Sequence, residues 1–439
     1  MTSSSMQTEP FDRRIDRWVR HALAHGCTSL DQIIGALPGV YPSIVRDSIR
    51  RLASHGHGSV RLDTVQEVLW PTPSAGVSHT IALPIPHPLD YDWRFSDAAV
   101  AYLLRTSAAL AAPGATIALL GTPSIMRAVI EEPPPYQFVL VEANSAITTC
   151  LAAAAPTARI VQSDIGRDRL PDLTAAVIIA DPPWYKEYIR SFLWAACRLC
   201  QINGTILMSV PPVGTRPGIA LEWERTLLWA EQLGLALVRL EPNAIEYRTP
   251  PFERNALRAE GLGTLSPYWR QGNLAIFMRQ DVRRVRRPPL PAHDGQWEEV
   301  QVDGVRIRLR RRVVGGFSDP LLIPLVSGHV LSSVSRRDPR RQQADVWTSG
   351  NRIFACRGTA LLTTIIRSIA SGQSSVAAIQ EQIERPLIMA EQSLVACAIR
   401  QMTRLIAHEQ RDALHFGEGT VHDESEYLAA RRSPSSRSG

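Results

Sequence analysis

Short apolar runs bounded by turn residues recur through the middle of the chain. Residues 116–120, 138–141, 159–162, 176–180 and 204–210 each read as a buried strand, and amphipathic stretches at helical spacing separate them. Residues 235–240 and 274–278 add two more, so the spacing predicts a seven-stranded α/β sheet that binds ligands at its carboxyl edge. The amino-terminal part differs. Residues 14–24, 30–37 (with Ser29 as N-cap) and 41–53 are helix-like, with Ile44, Val45, Ile49 and Leu52 at helical spacing, and two β-like pieces follow at 59–62 and 65–70. After residue 280, Asp303-Gly304 reads as a hairpin turn, and three helical patterns cover 360–370, 375–383 and 387–407.

The expected organisation is a helical domain over 11–70, a proline-rich linker over 71–90, and the α/β domain over 91–280. A basic β-containing region over 281–350, a trihelical module over 351–430 and a disordered Ser/Arg-rich tail over 431–439 complete it. Residues 244–270 read as a loop between the last two strands, beside the sheet's ligand edge, and loops of that length are usually functional or disordered.

Composition narrows this little. With 439 residues and 45% apolar content the chain can bury two or three cores. No apolar run reaches the ~20 residues of a membrane span, and the polar start lacks a signal peptide's apolar region, so a cytoplasmic location is expected. The six cysteines are scattered, and Cys197 and Cys200, a CxxC without a second pair, read as a helix face and not a metal site. The net charge of +6 comes almost entirely from arginine and favours an anionic partner, nucleic acid (DNA or RNA) first. Arg306, Arg308 and Arg310 share one strand face, suited to a phosphate backbone or simply to solvent. Lys186, the sole lysine, either reaches a phosphate or is an ordinary solvated residue.

The candidate chemistry lies in Asp181-Pro182-Pro183-Trp184-Tyr185, directly after the strand at 176–180. The Asp181 carboxylate and the Pro182 carbonyl can each accept one hydrogen of a planar NH2, prolines stiffen the turn, and Trp184 or Tyr185 can stack on whatever carries the amine. This turn, placed after a fourth strand, resembles the [DN]PP[FYW] motif of class I S-adenosylmethionine-dependent methyltransferases that act on amino groups. The resemblance spans residues 90–280 and implies a seven-stranded Rossmann-like class I methyltransferase sheet, with S-adenosylmethionine as cofactor.

On that resemblance Gly121, Thr122, Pro123 and Ser124 form the turn after the first strand. Glu142 takes the cofactor ribose, Asp164 faces its adenine, and Trp93 and Phe95 either close over it or anchor a helix to the core. The first turn has one glycine where the family usually carries two or three, and the cofactor half precedes the catalytic half. The amino-terminal helices resemble a winged helix, whose third helix, with Arg46, Arg50 and Arg51, serves DNA binding, dimerisation or protein docking. A winged helix before such a sheet also resembles branched-chain polyamine synthases. Three functions therefore stand: transfer of a methyl group to an amine nitrogen of a nucleic-acid base, aminopropyl or small-amine transfer, and a non-catalytic binding protein. The terminal helical modules would serve a second copy or a partner protein.

Overall fold

The computed structural model describes residues 9–54, 79–263, 265–291, 297–311 and 317–414. Three helices lead: α1 (Phe11–Ala24), α2 (Leu30–Ala36) and α3 (Pro42–Ser54). Ser29 and Gln32 form a reciprocal capping box at the start of α2. Ile15, Val19, Ile33, Ile34, Val45 and Ile49 meet in one core. The same core takes Leu257, Leu262, Leu265 and Trp269 from far along the chain. The expected wing pieces 59–62 and 65–70, linker residues 71–78 and the tail 431–439 lie outside the described residues.

The central layer contains β1 (Arg94–Phe95), α4 (Asp97–Leu110), β2 (Thr116–Leu120), α5 (Pro123–Glu131), β3 (Gln137–Glu142), α6 (Ser145–Ala154) and β4 (Arg159–Gln162). It continues with β5 (Ala175–Ala180), α7 (Lys186–Leu199), β6 (Cys200–Val210), α8 (Ile219–Gln232), β7 (Leu235–Arg248), α9 (Pro251–Ala259) and β8 (Arg270–Arg279). The strand order is β1-β7-β8-β6-β5-β2-β3-β4. Strands β2 to β6 are parallel, and β8 runs antiparallel between β6 and β7. This is a Rossmann-like mixed α/β sheet. It has eight strands where seven were expected, because Arg94 and Phe95 pair with Arg248 and Tyr247 at the outer edge. Two residues carry no periodicity, so that strand leaves no trace in the pattern. Alternation decides which face each strand residue packs on: Ile117 and Leu119 enter one core layer, Ala118 and Leu120 the other.

Residues 244–270 are not one loop. Strand β7 continues to Arg248, and α9 follows. Cys197 and Cys200 are buried and free, and among the described residues no group of His, Cys, Asp and Glu is arranged to hold a metal ion. No helix among the described residues is long and apolar enough to cross a membrane.

A second sheet follows, made of β9 (Trp297–Val302), β10 (Val305–Arg310), β11 (Ile323–Pro324), β12 (Val346–Thr348) and β13 (Ile353–Ala355), in the order β11-β13-β12-β10-β9. Asp303 and Gly304 take φ of 48° and 81°, the left-handed pair that a tight hairpin turn requires. Helices α10 (Thr359–Ala370), α11 (Val376–Gln382) and α12 (Met389–Leu414) complete the region. Leu362 and Ile366 of α10 and Met402 of α12 share one core with Val305, Ile307 and Leu309 of β10.

On the arginine stripe of β10, Arg306 and Arg308 are engaged by carboxylates and Arg310 stays partly exposed. Arg306 is 1% exposed and pairs with Asp90 at 2.6 Å and Glu299 at 2.8 Å, and Arg308 joins the same two carboxylates. Burial alone would raise the Glu299 carboxyl, but the two guanidiniums outweigh it and hold it at about 2. The network fastens the segment carrying Asp90 and Trp93 to the second sheet. On α3, Arg46 turns inward to Glu260 at 3.1 Å and Arg51 pairs with Asp16 at 2.7 Å, while Arg50 is 61% exposed.

Candidate active site

The parallel strands bring Gly121, Glu142, Ser163 and Asp181 to one sheet edge, and the antiparallel course of β8 delivers Arg270 to the same edge. At Gly121 the chain turns with φ of 64°, a conformation that costs a glycine nothing, and an added Cβ would meet the Phe192 ring at 3.4 Å. Thr122, Pro123 and Ser124 are buried at the start of α5. The Thr122 and Ser163 hydroxyls are both buried and lack a hydrogen-bond partner among the described residues. Orphaned hydroxyls at the ends of β2 and β4, flanking an acid at the end of β3, suit a ligand with several hydroxyl and amine groups, as a nucleoside has.

Glu142 accepts from the Asn144 amide at 2.8 Å. Burial, reinforced by the charges of Asp92 and Asp90, lifts its carboxyl to about 7 against that hydrogen bond. Asp164 is used locally: one oxygen takes the Gly166 amide at 2.9 Å and the other takes Arg167 at 2.6 Å. Trp93 donates to Glu253 at 2.8 Å, meets Phe252 edge-on at 5.0 Å and lines the cavity beside Asp181. Phe95 is 5% exposed and packs against Tyr247 in the core.

At the end of β5 the Asp181 amide bonds Leu120 across the sheet at 3.1 Å, which fixes where the turn begins. Pro182 is buried, and Pro183 and Trp184 are half-buried on a cavity of about 470 Å³. Tyr247 donates to Asp181 Oδ1 at 2.5 Å, and Ser209 bonds the same tyrosine oxygen. Burial pushes the Asp181 carboxyl up to about 8, the bonds from Tyr247 and Ser209 resist, and the charge of Asp92 adds to the rise. Trp184 stands edge-on to Tyr247 at 5.4 Å. A Cβ on Gly272 would fall 2.8 Å from the Trp184 ring, so the indole position depends on glycine at that point of β8. Lys186 is exposed at the first position of α7.

The far wall of the cavity comes from elsewhere in the chain. Tyr41 and Ile44 descend from the amino-terminal helices, and Ser332 to Ser335 with Arg337 come from the segment between β11 and β12. Arg270, ion-paired with Glu253, lies 5.1 Å from the Trp93 ring centre and 4.8 Å from that of Trp269. Sequence reasoning missed Ser209, Tyr41 and the 332–337 wall. Tyr247 and Arg270 lay within the 244–270 segment read as a loop beside the ligand edge, but no motif marks either.

No protein-family model and no curated protein sequence matches the chain. Solved structures do. A branched-chain polyamine synthase variant from Thermus thermophilus, bound to N4-aminopropylspermidine and 5'-methylthioadenosine, superposes with a TM-score of 0.47 at 14% identity, over 63% of this chain and 90% of that one. A putative RNA methyltransferase from Pyrococcus horikoshii gives 0.34 at 14% identity over 46% and 93%. An N-methyltransferase from Bradyrhizobium japonicum, solved with S-adenosyl-L-homocysteine, gives 0.28 at 12% identity over 42% and 86%.

Proposed function

We propose that the chain is an S-adenosylmethionine-dependent N-methyltransferase whose acceptor is an amine on a planar ring, foremost a base of a nucleic acid. One observation carries this reading: a recessed carboxylate, Asp181, held by Tyr247 and Ser209, opens onto an aromatic cavity beside the sheet's nucleoside-like cleft. When bound, the cofactor supplies an electrophilic sulfonium methyl. Thr122, Glu142 and Ser163 would hold its nucleoside part through groups that lack, or only partly have, partners in the fold.

Asp181 and the Pro182 carbonyl orient the two amine hydrogens, leaving the nitrogen lone pair free for in-line attack. Trp184 offers its ring to the base, while Arg336 and Arg216 lie over the Tyr185 ring and keep it in the cavity wall. As the N–C bond forms, one amine proton must leave, and the Asp181 carboxylate, titrating near 8, is placed to take it. A base in a duplex would have to leave the stack to reach this depth. A second reading rests on Glu142: a buried acid at the cleft would attract the cationic amine of a decarboxylated cofactor, as aminopropyl transfer needs.

The test incubates the full chain with methyl-tritiated S-adenosylmethionine and single-stranded RNA, single-stranded DNA or polyamines. Label on a base amino group is the expected result. Polyamine extension from decarboxylated cofactor alone would establish the second reading, and absence of cofactor binding by calorimetry would remove both.

A further inference from the structure

The outer half of the cavity holds polar groups that the proposed methyl transfer does not use. Arg216 gives one nitrogen to the Trp184 carbonyl at 2.7 Å and another to Glu222, while its Nε is buried without a partner. Its neighbour Thr215 has a buried hydroxyl with no partner, and so does Tyr41, the residue before α3, which lines the same cavity. Across the opening, Arg337 sits on a stiff turn: Ser335 accepts its amide at 3.2 Å, and Arg336 is anchored by Glu187 and by the Tyr185 ring at 4.5 Å. The acids at this rim are already matched, Glu260 to Arg46, Glu222 to Arg216 and Asp338 to Arg340. Arg337 is an exposed residue on the cavity lining, and unlike Arg336 and Arg340 it has no acidic partner among the described residues.

From these placements we infer that Thr215, Arg216 and Arg337 form an anion subsite for the phosphate attached to the acceptor nucleoside. Buried donors without partners carry a free-energy cost that a ligand acceptor removes, and an uncompensated guanidinium beside them selects a charged acceptor. The inference builds on the methyl-transfer reading and names the acceptor more closely: a nucleotide, free or within a polynucleotide. It also gives the segment between β11 and β12 a role, since Arg216 and Arg270 of the α/β domain are ion-paired with Glu222 and Glu253 while Arg337 adds a cation without an acidic partner among the described residues.

Binding separates this inference from the reading beneath it. With the cofactor cleft saturated by S-adenosylhomocysteine, adenosine and cytidine, their 5'-monophosphates, and single-stranded oligoadenylate are titrated into the full chain. A monophosphate or the oligonucleotide should bind at least ~10-fold tighter than the nucleosides and compete with inorganic phosphate. Arg337→Ala and Thr215→Val should each erase most of that difference without changing S-adenosylhomocysteine affinity. Preference for the monophosphates identifies a free nucleotide, and preference for the oligonucleotide identifies a polynucleotide. Equal affinity for nucleoside and nucleotide, or an unchanged ratio in Arg337→Ala, overturns the subsite whether or not methyl transfer occurs. Phosphate-dependent binding without label incorporation would instead retain the subsite and refute methyl transfer.

Discussion

The cleft at the ends of β2, β3 and β4 and the cavity beside Asp181 share one sheet edge but are built differently. The cleft is local: turns after β2, β3 and β4 supply it, each a few residues beyond the strand that positions it. The cavity is assembled from Tyr41 in the leading helices, Asp181 and Tyr247 in the sheet, and Arg337 in the trailing region. Changes in the cleft should therefore affect cofactor affinity alone, whereas changes in the cavity should affect acceptor binding and chemistry.

The largest separation is expected from Asp181→Asn, which keeps an acceptor oxygen but cannot take a proton. Transfer should fall about 10²- to 10⁴-fold with cofactor affinity unchanged, measured by initial rates and calorimetry. The fold should gain at the same time. Since burial raises this carboxyl from 3.8 to about 8, its contribution to stability is complete at acid pH and is lost as pH rises through about 8. The asparagine variant should then melt above the parent at pH 8, and the gap should close toward pH 4. A variant that melts lower at every pH would show Asp181 to be structural cement.

A pH profile is next. The ionised carboxylate is the working form, so kcat/KM should rise with pH and level off above about 8. Tyr247→Phe removes a bond that lowers this pKa, so the limb should move to higher pH, with roughly a tenfold loss at neutrality. A limb that stays in place would free Tyr247 of any role in tuning the acid.

On the cofactor side, Glu142→Gln should weaken S-adenosylmethionine binding by about tenfold, the worth of one good hydrogen bond to a charged group, while the acceptor KM stays constant. A matching rise in acceptor KM would mean that the two sites are not separable. The smallest effect belongs to Gly272→Ala, whose new methyl pushes on the Trp184 ring and more lightly on Ser209 and Tyr247, and should raise acceptor KM several-fold with a smaller loss in kcat.

What the sequence disclosed follows the same division. Strands β2 to β6 and the turns after them carry their signal within a few residues, so Gly121, Glu142 and Asp181 could be placed at strand ends from pattern alone. Tyr247, Ser209 and Arg270 become neighbours only through the registers of β6, β7 and β8, which no local pattern encodes. Asp164 satisfies the spacing of a cofactor residue and also ties its own turn, and the arginines of β10 satisfy the spacing of a phosphate stripe while Arg306 and Arg308 face Glu299 on the paired strand and Asp90 from far along the chain. Spacing records which face a residue shares and says nothing of what another stretch of chain brings to meet it.

Helix α9 joins these parts at one place. Leu257 enters the leading helical core, Asn255 bonds Asp412 at 2.9 Å near the end of α12, and Glu253, fully buried, holds both Trp93 and Arg270 of the cavity. Nine residues thus tie the leading helices and α12 to the wall of the cavity. On the proposed function, a displacement of either helical module would reach the Trp93 indole and the Arg270 guanidinium, while the cleft at the ends of β2 to β4, which α9 does not touch through these contacts, would be left undisturbed.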